Sequence, residues 1–330
     1  MRAILCRRHG DYRDMQVEEV AAPVPGPGEV SIAVQAAGVS FANILAIAGQ
    51  HQNRAEPPFI PGTEVAGTVL ACGTGVTGLA PGQRVMAALP RGGFAEQAVA
   101  RAEVTCAIPD SLGFAAATLF PTIYGTAYTA LVAEARLEAG ETLLVHGAAG
   151  ASGLAAVQLG RALGARVIAC ASTPEKCRAA LDAGAAHAVA PGEFREEVLA
   201  LTGGRGVDVV FDPVGGAAFT QSLRCMAPEA RLLAIGFASG EIPQVPANLL
   251  LVKNIAVIGV YWGYYTGWAR QPPSARARRR VAEGFAALFR LFEEERIAPL
   301  VQAEFPFDRF AEALGIVEGR AAIGKVVLTP

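Results

Sequence analysis

The stretch Leu143-Leu144-Val145-His146-Gly147-Ala148-Ala149-Gly150-Ala151-Ser152-Gly153 decides the fold of this chain. An apolar segment typical of a buried strand leads into a loop with three glycines, Gly147, Gly150 and Gly153, spaced three residues apart. The pattern of Leu154–Leu159 after the loop is typical of a helix. Glycine permits a tight strand-to-helix turn and lets the backbone approach a pyrophosphate closely. The first turn of the following helix offers unpaired N–H groups and a partial positive charge. The stretch predicts a dinucleotide site, and the alternative is that its glycines only allow tight helix packing.

Short apolar runs recur after this loop and alternate with Ala-rich helical segments. Together with the first run they lie at 142–146, 166–171, around 189, 207–211, 230–235 and 255–260. Runs that are apolar almost throughout are typical of parallel strands covered on both faces. The pattern predicts an α/β fold, with a doubly wound parallel sheet of six strands of the Rossmann type.

The flanking segments differ from this pattern. A length of 330 residues exceeds what one hydrophobic core usually holds. Residues up to about 110 alternate in the strand manner between Pro- and Gly-rich turns, and a helical stretch follows at 111–136. The tail is too small to fold alone, so we expect one discontinuous, mostly β domain formed by 1–122 and 263–330. The nucleotide-binding domain, 123–262, interrupts it.

Composition excludes several classes of protein. A hydrophobic fraction of 52% excludes disorder, and a net charge of −2 argues against non-specific nucleic-acid binding. No apolar run reaches the roughly 18 residues that a membrane helix needs, and the charged first residues do not resemble a signal peptide. The six cysteines form no CxxC pair and no cluster with histidine, so we expect no metal site. We expect a cytoplasmic protein.

The end of the second strand of the sheet indicates which nicotinamide cofactor binds. NAD selection usually places a carboxylate there for the ribose 2′-hydroxyl, but this chain has Ala171. Ser172 and Lys176 follow and are candidates to bind a 2′-phosphate, which favours NADPH. The alternative for Lys176 is an exposed helix residue paired with Glu175 or Asp182.

Further cofactor contacts are expected where other strands of the sheet end, because ligands bind outside the carboxyl ends of parallel strands. Asp212 ends the fourth strand, and it either contacts the cofactor or has a structural role at the strand end or as the cap of the next helix. The complete set of predicted cofactor-binding residues is Gly147, Ala148, Ala149, Gly150, Ala151, Ser152, Gly153, Ser172, Lys176, Asp212, Gly236, Phe237 and Ala238.

These motifs make the sequence resemble a known family along its whole length. It resembles the medium-chain dehydrogenase/reductase superfamily, and within it the zinc-free NADPH:quinone oxidoreductase group. The resemblance implies a GroES-like catalytic domain interrupted by a Rossmann domain. The segments that carry it are Pro25–Val30, Pro61–Gly67, 147–153, Gly203–Asp208, Asp212–Gly216 and Ile323–Leu328.

The resemblance also bears on the chemistry. Zinc enzymes of the superfamily have Cys where this chain has Ser40 and His where it has Thr63, so no catalytic zinc site is expected. Thr126 is implied to lie near the nicotinamide carboxamide. Asn43, Tyr124 and the aromatic run 261–265 are candidates to line an acceptor pocket, because aromatic faces suit a flat quinone. Packing or a subunit interface is the alternative for these side chains.

The sequence therefore predicts a zinc-independent, NADPH-dependent reductase that transfers hydride to a quinone or a related α,β-unsaturated carbonyl. A homodimer is expected from the resemblance. One alternative is a reductase of enoyl thioesters, for which the Arg276–Arg280 cluster is the one hint. Another, from a different class, is a non-catalytic structural protein that binds NADPH.

Overall fold

The structure is a computed structural model that describes residues 1–330. Its strands are β1 Arg2–Leu5, β2 Gln16–Glu19, β3 Glu29–Val39, β4 Glu64–Cys72, β5 Arg84–Ala88, β6 Gln97–Arg101, β7 Thr105–Ala107, β8 Thr142–His146, β9 Arg166–Cys170, β10 His187–Val189, β11 Val207–Asp212, β12 Met226–Ala234, β13 Ala256–Gly259, β14 Val301–Pro306 and β15 Lys325–Thr329. Its α-helices are α1 Phe41–Ile47, α2 Phe114–Ala117, α3 Gly125–Tyr128, α4 Ala151–Ala162, α5 Pro174–Asp182, α6 Phe194–Leu201, α7 Gly216–Ser222, α8 Ala247–Lys253, α9 Trp262–Tyr265, α10 Ala275–Glu293 and α11 Phe310–Glu318.

The chain divides into two compact units. The first contains Met1–Thr122, Gly263–Arg278 and Pro299–Pro330, and the second contains Ile123–Trp262 and Arg279–Ala298. The predicted domains differ from these units at 279–298, which the sequence assigns to the first domain and the structure to the second unit. Helix α10 explains the difference, because its apolar face is buried within the second unit. Phe285 meets the ring of Trp262 edge-on at 6.1 Å.

The first unit is a mostly antiparallel β structure. Its large sheet has the order β14-β15-β3-β4-β5-β7, and β6 also pairs with β3. Only β14 and β15 run parallel, while the pairs β3·β4, β4·β5 and β15·β3 are antiparallel. Apolar side chains that alternate along these strands form one core, which includes Ile32, Val65, Phe94 and Leu328. The tail strands β14 and β15 therefore complete a sheet that begins near the N-terminus.

The second unit contains a six-stranded parallel sheet with the order β10-β9-β8-β11-β12-β13. Every predicted run corresponds to one of these strands, and β8 has the predicted bounds. The α/β class, the Rossmann sheet and the mostly β GroES-like unit are therefore confirmed. The chain leaves β8 for β9 and β10 on one side and returns to β11 on the other, as in a doubly wound fold.

The helical stretch predicted over 111–136 is instead an interrupted segment. Short helices α2 and α3 alternate with wider π-helical turns at Phe120–Tyr124 and Thr129–Glu134. Pro121 lies in the first wide turn, and proline lacks the N–H that a regular helix needs. No helix of the structure combines the length and the apolarity that a bilayer span requires.

Candidate cofactor site

The candidate cofactor site lies in the second unit, where the strand order of the parallel sheet reverses. Strands β8 and β11 are neighbours, with Val145 opposite Phe211, although two strands separate them along the chain. The loops that follow these two strands must therefore leave the same sheet edge side by side. A Cβ atom placed on Gly147 would lie 3.5 Å from Val214 Cγ2 and 3.6 Å from Pro213 Cγ. Open α/β sheets bind ligands at such a reversal.

The three glycines of the loop after β8 differ in whether the structure requires glycine at their positions, and in why it does. Gly147 has a φ of +57°, a conformation that side chains disfavour. Gly153 has no room for a side chain, because a Cβ would lie 2.6 Å from Ala148 Cα and 2.8 Å from the Gly147 carbonyl carbon. Gly150 has an ordinary φ of −71° and precedes α4 as its N-cap. Two of the three positions thus require glycine.

The hydrogen bonds of this loop leave the start of α4 available to a ligand. The Gly150 N–H donates to the Gly147 carbonyl at 3.0 Å, and the Ala148 N–H donates to the Cys170 carbonyl at 3.1 Å. The first N–H groups of a helix, here those of Ala151 and Ser152, have no acceptor inside it. A compact glycine turn that leads into unpaired helical N–H groups fits the pyrophosphate of a dinucleotide.

The residues after β9 form the start of α5 and lie where a ribose 2′-substituent is expected. Thr173 caps this helix, since its Oγ1 accepts from the Lys176 N–H at 3.3 Å, and Pro174 occupies the first turn. Ser172 is exposed and Lys176 is half-buried. The exposed Glu175 has a pKa lowered by hydrogen bonds to the backbone and to Thr173. Its carboxylate would oppose a 2′-phosphate, so Lys176 has a competing charge beside it.

Asp212, at the end of β11, shapes the loop that faces Gly147. Its Oδ1 accepts from the N–H groups of Val214 at 2.8 Å and Gly215 at 3.0 Å, while the buried Oδ2 has no hydrogen-bond partner. The residue is only 1% exposed, and burial raises the pKa of its carboxyl against the effect of both N–H groups. Such burial, together with two hydrogen bonds made inside the loop, favours a strand-end role of Asp212 over direct contact with a ligand. Helix α7 begins after Gly215 without a side-chain cap.

The loop after β12 is fastened to the loop after β11 by backbone hydrogen bonds. Ala238 N–H donates to the Pro213 carbonyl at 3.1 Å, and Ser239 N–H donates to the Val214 carbonyl at 2.9 Å. Gly236 is half-buried, whereas Phe237 and Ala238 are exposed. The structure therefore brings the predicted residues of three loops together at one edge of the sheet.

Asn43, predicted to contact the acceptor, holds the start of α1 in the first unit. Its Oδ1 accepts from the N–H of Ser40 at 2.8 Å and from the Ser40 hydroxyl at 2.9 Å. Asn43 is 1% exposed. This reciprocal cap follows from Ser and Asn three residues apart before an apolar run, a local signal that our sequence analysis did not use.

Tyr124 and Thr126 belong to the second unit. The Tyr124 hydroxyl donates to Gln158 Oε1 at 2.6 Å, and Gln158 also binds the backbone of Ala298. Tyr124 is 1% exposed and burial raises its pKa, which argues against a surface contact by this side chain. Thr126 is half-buried in α3.

The aromatic run 261–265 separates into different environments. Trp262 is buried, and its ring occupies the space that a side chain at Gly125 would need. Tyr264 accepts at its hydroxyl oxygen from the Ser274 N–H at 3.2 Å. Tyr261 is exposed. Packing, which was the alternative in the sequence analysis, accounts for Trp262.

Histidines and possible metal ligands do not converge. His146 is buried with its Nε2 2.7 Å from Ser222 Oγ, and burial lowers its pKa to about 4, so this imidazole is neutral near pH 7. The structure shows no group of three or more His, Cys, Asp or Glu side chains arranged to hold a metal ion. Ser40 and Thr63 stand at the two positions that the resemblance assigns to zinc ligands.

Comparisons with known proteins find relatives whose sequences match segments of both units. A family model described as "Alcohol dehydrogenase GroES-like domain" matches residues 26–137, and one described as "Zinc-binding dehydrogenase" matches residues 151–274. The second range excludes both Ser40 and Thr63. "Quinone oxidoreductase-like protein 2" of Bos taurus is 39% identical over 331 residues, covering 99% of this chain and 92% of the relative.

Solved structures show the same similarity. Quinone oxidoreductase from Thermus thermophilus, solved alone and with NADPH, is 33% identical, with a TM-score of 0.84 and 100% of each chain covered. Escherichia coli quinone oxidoreductase complexed with NADPH is 28% identical, with a TM-score of 0.89 and 100% of each chain covered. The chain therefore belongs to the medium-chain dehydrogenase/reductase superfamily of enzymes, in its zinc-free quinone oxidoreductase group.

Proposed function

We propose that this enzyme uses NADPH to reduce a quinone or a related α,β-unsaturated carbonyl without zinc. The observation that carries the proposal is the cradle formed by residues 147–153 where the strand order of the parallel sheet reverses. There Gly147 has a positive φ and Gly153 leaves no room for a side chain. The two quinone oxidoreductases compared above were solved with NADPH, which supports the same cofactor here. Bound NADPH supplies the hydride, and the protein supplies binding and orientation.

Each group of residues has a proposed part in holding the cofactor. The backbone from Gly147 to Gly153 receives the pyrophosphate, with the first N–H groups of α4 directed to its oxygens. Ser172 and Lys176 bind the 2′-phosphate, and Ala171 provides no carboxylate to repel it. Gly236, Phe237 and Ala238 approach the nicotinamide half, and Asp212 acts by holding the loop to which they are fastened.

Fewer side chains are proposed to act where the acceptor meets the nicotinamide. Thr126 is proposed to orient the nicotinamide carboxamide. Asn43 is only 1% exposed, so it is proposed to hold the start of α1, against which the acceptor binds, rather than to touch the acceptor itself. Tyr124 is proposed to act through its ring packing, because its hydroxyl is bonded to Gln158. A quinone is already electrophilic, so its reduction needs less polarisation than alcohol oxidation, which depends on a Lewis acid. No general acid is assigned, and solvent serves as the proton source.

A cofactor titration tests this assignment separately from turnover. Fluorescence titration of the purified protein with NADPH and NADH should give the smaller Kd for NADPH. Equal values, or a smaller Kd for NADH, would contradict the 2′-phosphate assignment. NADPH binding without reduction of any quinone or enone would favour the non-catalytic alternative.

The basic cluster gives little support to the thioester alternative. Arg280 forms an ion pair with Glu134 at 2.9 Å, and Arg279 approaches Glu283 at 3.7 Å. Arg278 donates to the Pro273 carbonyl at 2.8 Å. Arg278 and Arg280 thus have partners inside the protein, whereas Arg279 and Glu283 are each 68% exposed and their charges are largely solvated.

A homodimer is proposed from one edge of the second unit. Strand β13 ends the parallel sheet and pairs only with β12, so its outer backbone groups are open. Helix α8, just before it, has no fully buried residue, and Leu251 and Val252 are 78% and 71% exposed. A second copy of the same edge would satisfy the open backbone groups and cover these side chains.

A further inference from the structure

A buried ion pair in the first unit has no part in the proposed chemistry. Lys325 Nζ donates to Glu64 Oε2, and each side chain is only 2% exposed. Among the ion pairs of the structure, no other has both members buried to this extent. Burial raises the pKa of Glu64, while the adjacent Lys325 ammonium opposes that rise. Both residues lie in segments that carried the family resemblance.

The pair lies on both sides of the last residues of β3. Ala37 pairs with Val65, so one further step of the antiparallel register sets Glu64 opposite Gly38. Val39 pairs with Val326, so the corresponding step on the other side sets Lys325 opposite Ser40. Residues opposite each other in antiparallel strands project to the same face. The ion pair thus crosses the end of the strand that leads into α1.

Gly38 makes this arrangement possible. A Cβ atom at Gly38 would fall against the Glu64 carboxylate and within 2.7 Å of Lys325 Cε. Two residues later, Ser40 is held by Asn43 through the hydrogen bonds described above. The charged pair, the glycine and the capped start of α1 therefore form one continuous arrangement.

Stability alone is a weak reason for such a pair. Desolvation of two buried charges offsets their attraction, and apolar residues of similar volume are often neutral or stabilising replacements. In some proteins, buried charged groups instead serve to select one conformation of the chain around them. We infer that Glu64 and Lys325 are positioning residues that fix the end of β3 and hence the acceptor-contacting start of α1. This inference rests on the proposed function through the role given to Asn43.

The test compares Glu64→Leu/Lys325→Met, which removes the charges together, with Arg309→Met/Glu312→Gln, which removes an exposed pair of the same unit. A misplaced contact residue can reduce turnover strongly, so we expect kcat/KM for a quinone to fall about tenfold in the first variant. The KM for NADPH and the unfolding midpoint should stay near the wild-type values. The control variant should change none of these quantities.

Hydrogen exchange supplies a readout that does not need turnover. Amide protons of α1 should exchange faster in Glu64→Leu/Lys325→Met than in the wild type, while those of β1 and β2 stay unchanged. Gly38→Ala, which places a methyl group against the pair, should give the same pattern if the double variant does not fold. Unchanged α1 exchange together with unchanged acceptor kinetics would overturn the inference. A wild type inactive with all quinones and enones would instead refute the proposed function, and exchange in α1 would still decide the positioning role.

Discussion

At the scale of single residues, the proposed selection of NADPH depends on few side chains. The second strand of the parallel sheet ends without a carboxylate, and Lys176 is the cation that sequence reasoning assigns to the 2′-phosphate. The structure adds the competing carboxylate of Glu175 on the same helical turn. In the proposed site, selectivity for NADPH would reflect the difference between the attraction of Lys176 and the repulsion of Glu175 for the 2′-phosphate.

Replacement of Lys176 tests this difference. Lys176→Ala should raise the KM for NADPH about tenfold, because a hydrogen bond to a charged group contributes roughly 1.5–3 kcal/mol. The KM for NADH should stay within about twofold of the wild-type value, since a factor of two is under 0.5 kcal/mol. Steady-state kinetics with each cofactor measures both values. Arg178→Ala, on the exposed part of the same helix, is the control. An equal effect of Lys176→Ala on NADPH and NADH would refute the assignment.

Replacement of Gly153, the third glycine of the cradle, is a second test at the scale of single residues. Gly153→Ala should weaken NADPH binding and lower the unfolding midpoint, because the added Cβ would lie 2.6 Å from Ala148 Cα in the backbone of the loop. Overpacking of this kind typically costs about 1–3 kcal/mol. Gly192→Ala, where no atom lies within 4 Å of the added Cβ, is the matched control. Equal Kd values for the two variants would show that close approach at Gly153 is not required.

At the scale of secondary-structure elements, the sequence predicts the parallel sheet better than its surroundings. Continuous apolar runs identify buried strands directly, and β8 has the predicted bounds. The segment 111–136 has helical periodicity, but Pro121 and wide turns interrupt it, which periodicity does not reveal. Helix α10 lies mostly with the second unit because of tertiary contacts such as Phe285 with Trp262. The Glu64–Lys325 pair joins residues 261 positions apart, so no local pattern could find it.

Removal of one member of the Glu64–Lys325 pair should lower the stability of the first unit. Lys325→Met leaves the Glu64 carboxylate buried without a partner and should lower the free energy of unfolding by about 3–5 kcal/mol near pH 7. The pKa of Glu64 in the folded variant then lies above its unfolded value, because burial remains and the opposing ammonium is gone. The folded state binds the extra proton, so the loss should be smallest below about pH 4, the unfolded pKa.

Denaturant unfolding of wild type and Lys325→Met from pH 4 to pH 8 measures this dependence. The difference between the two proteins should grow as the pH rises through the folded pKa of Glu64. A difference that is constant over this range, or that shrinks as the pH rises, would show that Glu64 does not carry the buried charge.

At the scale of the whole molecule, the sequence identifies two units and their family, whereas a candidate subunit contact leaves a weaker pattern in the sequence. The apolar run at 249–252 has the composition of a core helix in the sequence. The structure shows Leu251 and Val252 exposed beside the open edge of β13. Their exposure therefore becomes visible only in the folded chain.

Charge placed on this face tests the proposed dimer. Leu251→Glu/Val252→Glu should convert the protein to monomers in light scattering, because two like-charged faces would have to meet across a two-fold contact. The control is Leu70→Glu, which changes an exposed apolar residue of the first unit. A wild type that is monomeric at all concentrations, or a double variant that stays dimeric, would contradict the proposed contact.

The most direct test of the central claim is NADPH oxidation by the chelator-treated protein in the presence of simple quinones and enones. The proposed function predicts saturable turnover of at least one such acceptor, faster with NADPH than with NADH and unchanged by added zinc. Tight NADPH binding without reduction of any acceptor, or turnover that requires zinc, would contradict it.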